Sequence, residues 1–169
     1  MTYRCPICSD EHDDLPDIGS PAPYYWTDEA ARHPESLLTK DICIVEGRDF
    51  FIRGVIAIPL HDDKNDFGWG VWVSLKKDNF EIYRNNFDTD AIGPFFGWLS
   101  TEIGYYPEST LALKTMAHFQ GNGMRPKIEV EPSEHLLSRQ HREGISLAEA
   151  WEIVHGYMDD AAGPSADMR

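Results

Sequence analysis

Length, composition and charge indicate a single globular domain and exclude two broad classes of protein. The 169 residues are enough to bury a sizeable core, and 41% of them are hydrophobic. The formal net charge of −14 disfavours phosphate neutralisation, so we do not expect direct nucleic-acid binding. No run approaches the roughly 20 apolar residues that span a bilayer. Since the N-terminus also lacks the apolar core of a signal peptide, we expect a soluble, cytoplasmic protein with no membrane segment.

The N-terminal segment carries the most specific chemical pattern in the chain. Cys5 and Cys8 form a C-x-x-C, and His12 follows closely. Two thiolates at this spacing can bind one tetrahedral zinc ion from a turn, as in zinc knuckles. Pro6 and the polar residues after it favour a loop over the helix that a redox C-x-x-C opens. We therefore predict a zinc-knuckle-like arm over residues 1–20.

A structural zinc site needs four ligands, so the arm requires at least one ligand from elsewhere in the chain. Cys43 is the natural third ligand, and His12 is our candidate for the fourth, with His33, His135 and His141 as alternatives. The predicted zinc ligands are Cys5, Cys8, His12 and Cys43. The competing interpretations are ordinary buried or free thiols and, less favoured, thiol redox chemistry.

The segment between the arm and the first long strand is irregular. Thr27 is placed to cap a short helix that ends at Arg32. The aromatic triplet at residues 24–26 predicts a hydrophobic plug where the segment docks on a sheet, and ligand stacking is the alternative. Residues 41–46 predict a short strand that carries Cys43.

Two apolar runs, residues 50–58 and 67–75, form the centre of the sequence. Both are rich in β-branched and aromatic residues, and the polar loop between them predicts a pair of antiparallel strands. Alternation gives each strand one strongly apolar face and one mixed face. The mixed faces carry Arg53 and Trp72.

Several shorter elements follow the hairpin. Ser74 is placed to cap a helix that begins at residue 75 or 76 and ends at Asn86. The aromatic run at 93–100 predicts a strand or a packed loop. Residues 110–119 predict a strand, with a helix as the alternative, and residues 127–130 predict a further short strand.

The C-terminal part of the sequence predicts two helices. Ser133 offers an N-cap for a helix that ends before Gly144. Ser146 and Glu149 form a capping box for a second helix that reaches about Met158.

Together these elements predict one α+β domain over residues 1–160. Its mainly antiparallel sheet occupies residues 41–131 and is covered by two to four helices, including the C-terminal pair at 133–159. Residues 161–169 are expected to form a mobile tail.

The order of the motifs identifies a family. The segments CPIC, DICIV, FFIRGVIAIPL, WGVWVSL, PFFGWLS, RPKIEVEPSEHLL and QHREGISL occur in this order across residues 3–154. Together they resemble the bacterial DUF2199 family of uncharacterised proteins. The resemblance implies no particular activity for this chain.

The residues themselves favour a binding role over catalysis. The sequence has no G-x-S-x-G, H-E-x-x-H, P-loop or G-x-G-x-x-G motif. Trp and Arg dominate interface hot spots. The mixed face therefore predicts a protein-binding patch, composed of Arg53, Trp72, Trp98 and Arg125. The alternative for Arg53 and Trp72 is a stacked pair that closes the back of the sheet.

We accordingly expect a zinc-stabilised module that binds a protein partner or regulates one. One alternative is an immunity-type inhibitor that presents its acidic surface to a toxin. Another is an enzyme, which would use either an open zinc site or a cysteine paired with a histidine.

Overall fold

The computed structural model describes residues 3–4, 11–12 and 15–162 of the chain. In these residues the strands are β1 (Tyr3–Arg4), β2 (Glu11–His12), β3 (Ile18–Gly19), β4 (Leu37–Leu38), β5 (Ile42–Val45), β6 (Asp49–Pro59), β7 (Asp66–Leu75), β8 (Phe95–Trp98), β9 (Lys114–His118) and β10 (Lys127–Val130). The helices are α1 (Asp28–Arg32), α2 (Lys77–Asn85), α3 (Leu136–Glu143) and α4 (Leu147–Ala162).

Strands β6 and β7 form the predicted antiparallel hairpin. Their register runs from Phe50 opposite Leu75 to Pro59 opposite Asp66. The face that alternation predicted to be apolar, with Ile52 and Val73 among its residues, lies in the main hydrophobic core. The hairpin is the longest pairing in the sheet because both runs contain the β-branched and aromatic residues that suit an extended, buried backbone.

Further strands pair with both edges of this hairpin, and the path of strands that starts at β6 comes back to β7. β10 pairs with β6 in parallel, β9 and β8 follow in antiparallel order, and β3 pairs with β7 in parallel. A bridge between Val73 and Leu99 connects the far end of this path to β7 again. The path β7–β6–β10–β9–β8 is therefore a closed ring, and most of its pairings are antiparallel, which confirms the α+β prediction.

Helices cover the apolar side of the hairpin. Phe80 of α2 is fully buried, with its ring 5.1 Å from that of Phe50. Trp151 and Val154 of α4 are buried in the same core, as their helical spacing predicted. Burial of these rings and aliphatic side chains is the main stabilising contribution to the fold.

A smaller hydrophobic cluster lies on the opposite, mixed face of the hairpin. Helix α1 covers this face, and the Thr27 side chain accepts a hydrogen bond from the Ala30 N–H at 3.0 Å, which confirms the predicted cap. We call this group of residues the outer cluster; it consists of Ala30, Cys43, Val45, Phe51 and Trp72, with Trp26 and Leu38 packed against it.

Two helix caps differ from their predictions. The N-cap of α2 is Lys76 rather than Ser74, because β7 continues through Leu75 and the Ser74 hydroxyl accepts the Trp98 N–H at 3.2 Å instead. The N-cap of α3 is His135 rather than Ser133, and its Nδ1 accepts the Leu137 N–H at 3.0 Å.

The C-terminal helix follows its prediction more closely. The Ser146 hydroxyl accepts the Glu149 N–H at 3.0 Å, which is one of the two hydrogen bonds of a capping box. The Glu149 carboxylate instead accepts the Gln140 side-chain amide at 3.4 Å. Helix α4 continues to Ala162, beyond the predicted end, and residues 163–169 lie outside the described residues. No helix within the described residues has the length and apolar character needed to cross a membrane.

Closure of the ring depends on a glycine in β8. A Cβ on Gly97 would collide with the backbone oxygen of Ser74, which cannot move without disturbing β7. We predict that Gly97→Ala lowers the free energy of unfolding by about 1–3 kcal/mol through overpacking. Gly104→Ala is the matched control, because nothing lies within 4 Å of a Cβ there. Urea unfolding of both variants measures the difference, and equal stabilities would refute the close approach.

Candidate functional site

Arg53 and Trp72 form a stacked pair on the mixed face of the hairpin. The Arg53 guanidinium carbon lies 5.6 Å from the centre of the Trp72 ring. Trp72 is fully buried, and its indole N–H donates to the Ser20 carbonyl at 3.0 Å. The structure therefore places Trp72 beneath the arm rather than on a surface that a partner could reach.

Arg125 lies close to Arg53 but not to Trp98. Its Nε donates to the Asp41 carboxylate at 3.2 Å. Burial lowers the pKa of Arg53, repulsion from Arg125 lowers it further, and Asp41 partly opposes both effects. Three of the four predicted binding residues are thus near one another, and their charges are already engaged with Asp41 and with an aromatic ring.

Trp98 lies elsewhere, in an exposed aromatic patch. Its side chain is 45% exposed, and its ring packs edge-on against Phe96 at 4.9 Å. The Tyr24 N–H donates to the Ser100 carbonyl at 2.8 Å, which fixes the segment that follows the arm beside β8. The aromatic patch consists of Tyr24, Tyr25, Phe96 and Trp98.

A groove lies beside the aromatic patch, and we call it the cationic groove. It has a volume of about 550 Å³, and Tyr25 and Trp98 contribute its aromatic walls. Three cations and one carboxylate also line it; they are Arg48, Lys76, Lys77 and Asp49. Arg48 forms an exposed ion pair with Glu46 at 2.8 Å, which leaves the two lysines as the main positive charges of the groove.

Cys43 has the environment of a core residue. It is fully buried in the outer cluster, and burial raises the pKa of its thiol to about 12. Zinc binds the thiolate, so ligation by Cys43 would require both ionisation and loss of these contacts. Cys5 and Cys8 lie outside the described residues, as does the side chain of His12. The part of the chain that is described contains no group of three potential metal ligands.

The three histidines considered as alternative ligands already form hydrogen bonds through one or both ring nitrogens. The Nδ1 of His135 caps α3, and its Nε2 lies 3.1 Å from the Glu108 and Ser109 carbonyls. The Nδ1 of His141 lies 2.7 Å from the Ala57 carbonyl, and that of His33 accepts the Glu35 N–H. His135 therefore has no ring nitrogen left for a metal, because each already has a hydrogen-bond partner.

Sequence reasoning found only part of the groove. It selected Trp98, but it favoured a buried plug for residues 24–26. Trp26 packs against the outer cluster, and the Tyr25 ring stacks on Phe51 of that cluster at 5.9 Å. Tyr24 and Tyr25 remain exposed on the surface. The adjacent lysines at 76 and 77 in a strongly acidic chain were a usable signal that the sequence analysis did not use.

The comparisons with known proteins give the family and nothing finer. The model of the DUF2199 family, described as uncharacterized protein conserved in bacteria, matches residues 4–145. The chain belongs to the DUF2199 family. The resemblance drawn from the motifs is therefore confirmed. Comparison with curated proteins and with solved structures returns no match.

The burial of Cys43 predicts slow thiol chemistry. At pH 8 the thiol should be almost wholly protonated, since its pKa is about 12, and alkylation by iodoacetamide should be at least about tenfold slower than in urea-unfolded protein. Peptide mass mapping after timed alkylation measures the rate at each cysteine. Rapid modification of Cys43 in the folded protein would contradict its placement in the outer cluster.

Proposed function

We propose that this DUF2199 protein is a protein-binding module that captures an acidic segment of its partner in the cationic groove. The observation that carries this proposal is the convergence of two lysines with the exposed rings of Tyr25 and Trp98. Tryptophan and tyrosine contribute strongly to protein interfaces because they bury large areas and lose little conformational entropy.

Charge gives the groove its selectivity. The chain as a whole carries −14, so the local positive charge of Lys76 and Lys77 contrasts with its surroundings. At physiological salt, interactions between exposed charges are screened beyond about 8 Å. A partner's carboxylates would therefore interact mainly with the lysines when they lie inside the groove. Acidic proteins that do not fit the groove would be repelled by the net negative charge of the chain.

The position of the lysines also allows a clean test. Both lie at the start of α2, where negative side chains stabilise the positive end of the helix dipole. A Lys76→Glu, Lys77→Glu double variant should therefore fold at least as stably as the wild type while reversing the charge of the groove. A Lys114→Glu, Lys127→Glu variant makes the same change in net charge at exposed positions of β9 and β10.

The measurement is site-specific photo-crosslinking in the native host. A benzophenone side chain replaces Trp98 in one protein and Ile82, an exposed residue of α2 outside the groove, in another. We predict that a defined protein crosslinks only from position 98. Its recovery should fall at least about tenfold with the Lys76 and Lys77 reversals and stay unchanged with the Lys114 and Lys127 reversals.

Two results would overturn the binding proposal. One is crosslinking of the same proteins from positions 82 and 98, which would show no preference for the groove. The other is full recovery of the partner by the Lys76 and Lys77 reversal, because charge complementarity would then contribute nothing.

We also propose that Cys5 and Cys8 hold a structural zinc ion, with His12 as the third ligand and His33 or His141 as the fourth. The support is the antiparallel pairing of β1 with β2, in which Tyr3 lies opposite His12. This pairing brings together the residues on either side of the C-x-x-C, which suits a zinc knuckle. Zinc binding of this kind can contribute about 10–16 kcal/mol of apparent free energy to folding.

The cysteine variants separate this ligand set from one that includes Cys43. Elemental analysis of the purified wild type should give one zinc per chain, and Cys5→Ser should remove it. Cys43→Ser should retain the metal, because that thiol is buried and protonated in the outer cluster. Absence of zinc from the wild type would refute the site, and loss of zinc from Cys43→Ser would restore Cys43 as a ligand.

A further inference from the structure

A second cavity lies between α4 and the strand pair β3–β7. Its volume is about 530 Å³, which is within the range of small-molecule sites. Ile103 and Ile153 contribute apolar surface, and the loop that follows Ser100 forms one wall. The cavity is separate from the cationic groove, since the two share no lining residue.

Three aromatic rings meet in this cavity. Trp69 lines the cavity and is almost fully buried, with its ring centre 6.1 Å from that of Tyr105 and 5.7 Å from that of Tyr157. The Tyr105 ring is tilted by 36° from the indole plane and the Tyr157 ring by 70°, and Tyr105 is 38% exposed. The Trp69 indole N–H donates to the Tyr106 hydroxyl at 2.9 Å, and this buried hydrogen bond fixes the position of the indole.

The rim of the same cavity is acidic. Glu102 and Glu152 line it, and the described lining residues include no lysine, arginine or histidine. Glu102 is oriented by the Ser109 hydroxyl at 2.7 Å and the Thr110 N–H at 2.9 Å. Arg53 approaches β3 from the opposite face of the sheet, where a Cβ on Gly19 would point towards its guanidinium.

We propose that this cavity binds a small organic cation, namely a quaternary ammonium compound. Aromatic faces attract a cation through the negative charge of their π-systems, and this attraction strengthens when the cation leaves water. A quaternary ammonium suits the site because its methyl groups match the apolar walls and it needs no hydrogen-bond acceptor. The carboxylates of Glu102 and Glu152 balance the charge at the rim.

The glycine at position 156 provides a way to close the cavity without damaging the fold. Gly156 is helical and lines the cavity, and nothing lies within 4 Å of a Cβ placed there. Gly156→Leu therefore fills the space, whereas Gly156→Ala adds only one methyl group. Both replacements raise the helix propensity of α4, so a difference between them reports occupation of the cavity.

The test compares choline with its neutral isostere 3,3-dimethyl-1-butanol by isothermal titration calorimetry at constant ionic strength. We expect choline to bind the full-length wild type at one site, with an affinity at least about tenfold higher than that of the alcohol. Gly156→Leu should weaken choline binding at least about tenfold, while Gly156→Ala stays within about threefold of wild type. Glu152→Gln should weaken it about two- to fivefold, as expected for an exposed charge pair.

Each contrary result has a definite meaning. Absence of a binding heat when choline is titrated into the wild type would overturn the cation site, and so would equal affinity for choline and the alcohol. Both results come from the wild type alone and do not depend on the folding of a variant. Wild-type affinity in a folded Gly156→Leu protein would show that choline binds somewhere other than this cavity. Melting curves of the Leu and Ala variants establish that both are folded before the titrations are compared.

Discussion

The backbone N–H and C=O of Trp72 form the junction on which the rest of the structure depends. The carbonyl accepts the Ser100 N–H at 2.8 Å, and the N–H donates to the Thr101 hydroxyl at 2.9 Å. These bonds join the hairpin to the chain that leaves β8, so the path of strands closes on itself. Buried backbone groups must find partners, and here they find them in the segment that closes the ring.

Both candidate sites follow from this closure. Before Ser100, β8 carries Phe96 and Trp98 on the protein surface. Trp98 lies there beside Tyr25 and the start of α2. After Ser100, Glu102 to Tyr105 form the wall of the cavity that faces α4. One short stretch of chain thus contributes to an aromatic, cationic groove and to an aromatic, acidic cavity. The two sites suit ligands of opposite charge.

The five tryptophans show how tertiary contacts divide residues of one type between core and surface. Trp69 and Trp72 lie on opposite faces of β7, and both are buried. Helices α2 and α4 cover one face, and α1 together with Ser20 covers the other. Trp98 is exposed because no described element covers that part of β8. Hydrophobicity predicts a tendency towards burial, but which face receives a cover depends on the path of the whole chain.

The sequence by itself determined the elements whose signals are local. Alternation in β6 and β7, the Thr27 cap and the Ser146 cap all follow from residues close together in the chain, and the structure has each of them. The Glu149 half of the predicted capping box is replaced by a contact with Gln140. Two caps differ from their predictions because the Ser74 and Ser133 hydroxyls accept the N–H groups of Trp98 and His135 instead.

Only the tertiary structure decided which side chains meet. Arg53 and Trp72 are stacked beneath the arm, while Trp98 joins Tyr25 and two lysines from distant parts of the sequence. Cys43 lies among apolar side chains, where burial favours the thiol over the thiolate. These outcomes depend on long-range pairing and desolvation, and neither is encoded in residue type or spacing along a short segment of chain.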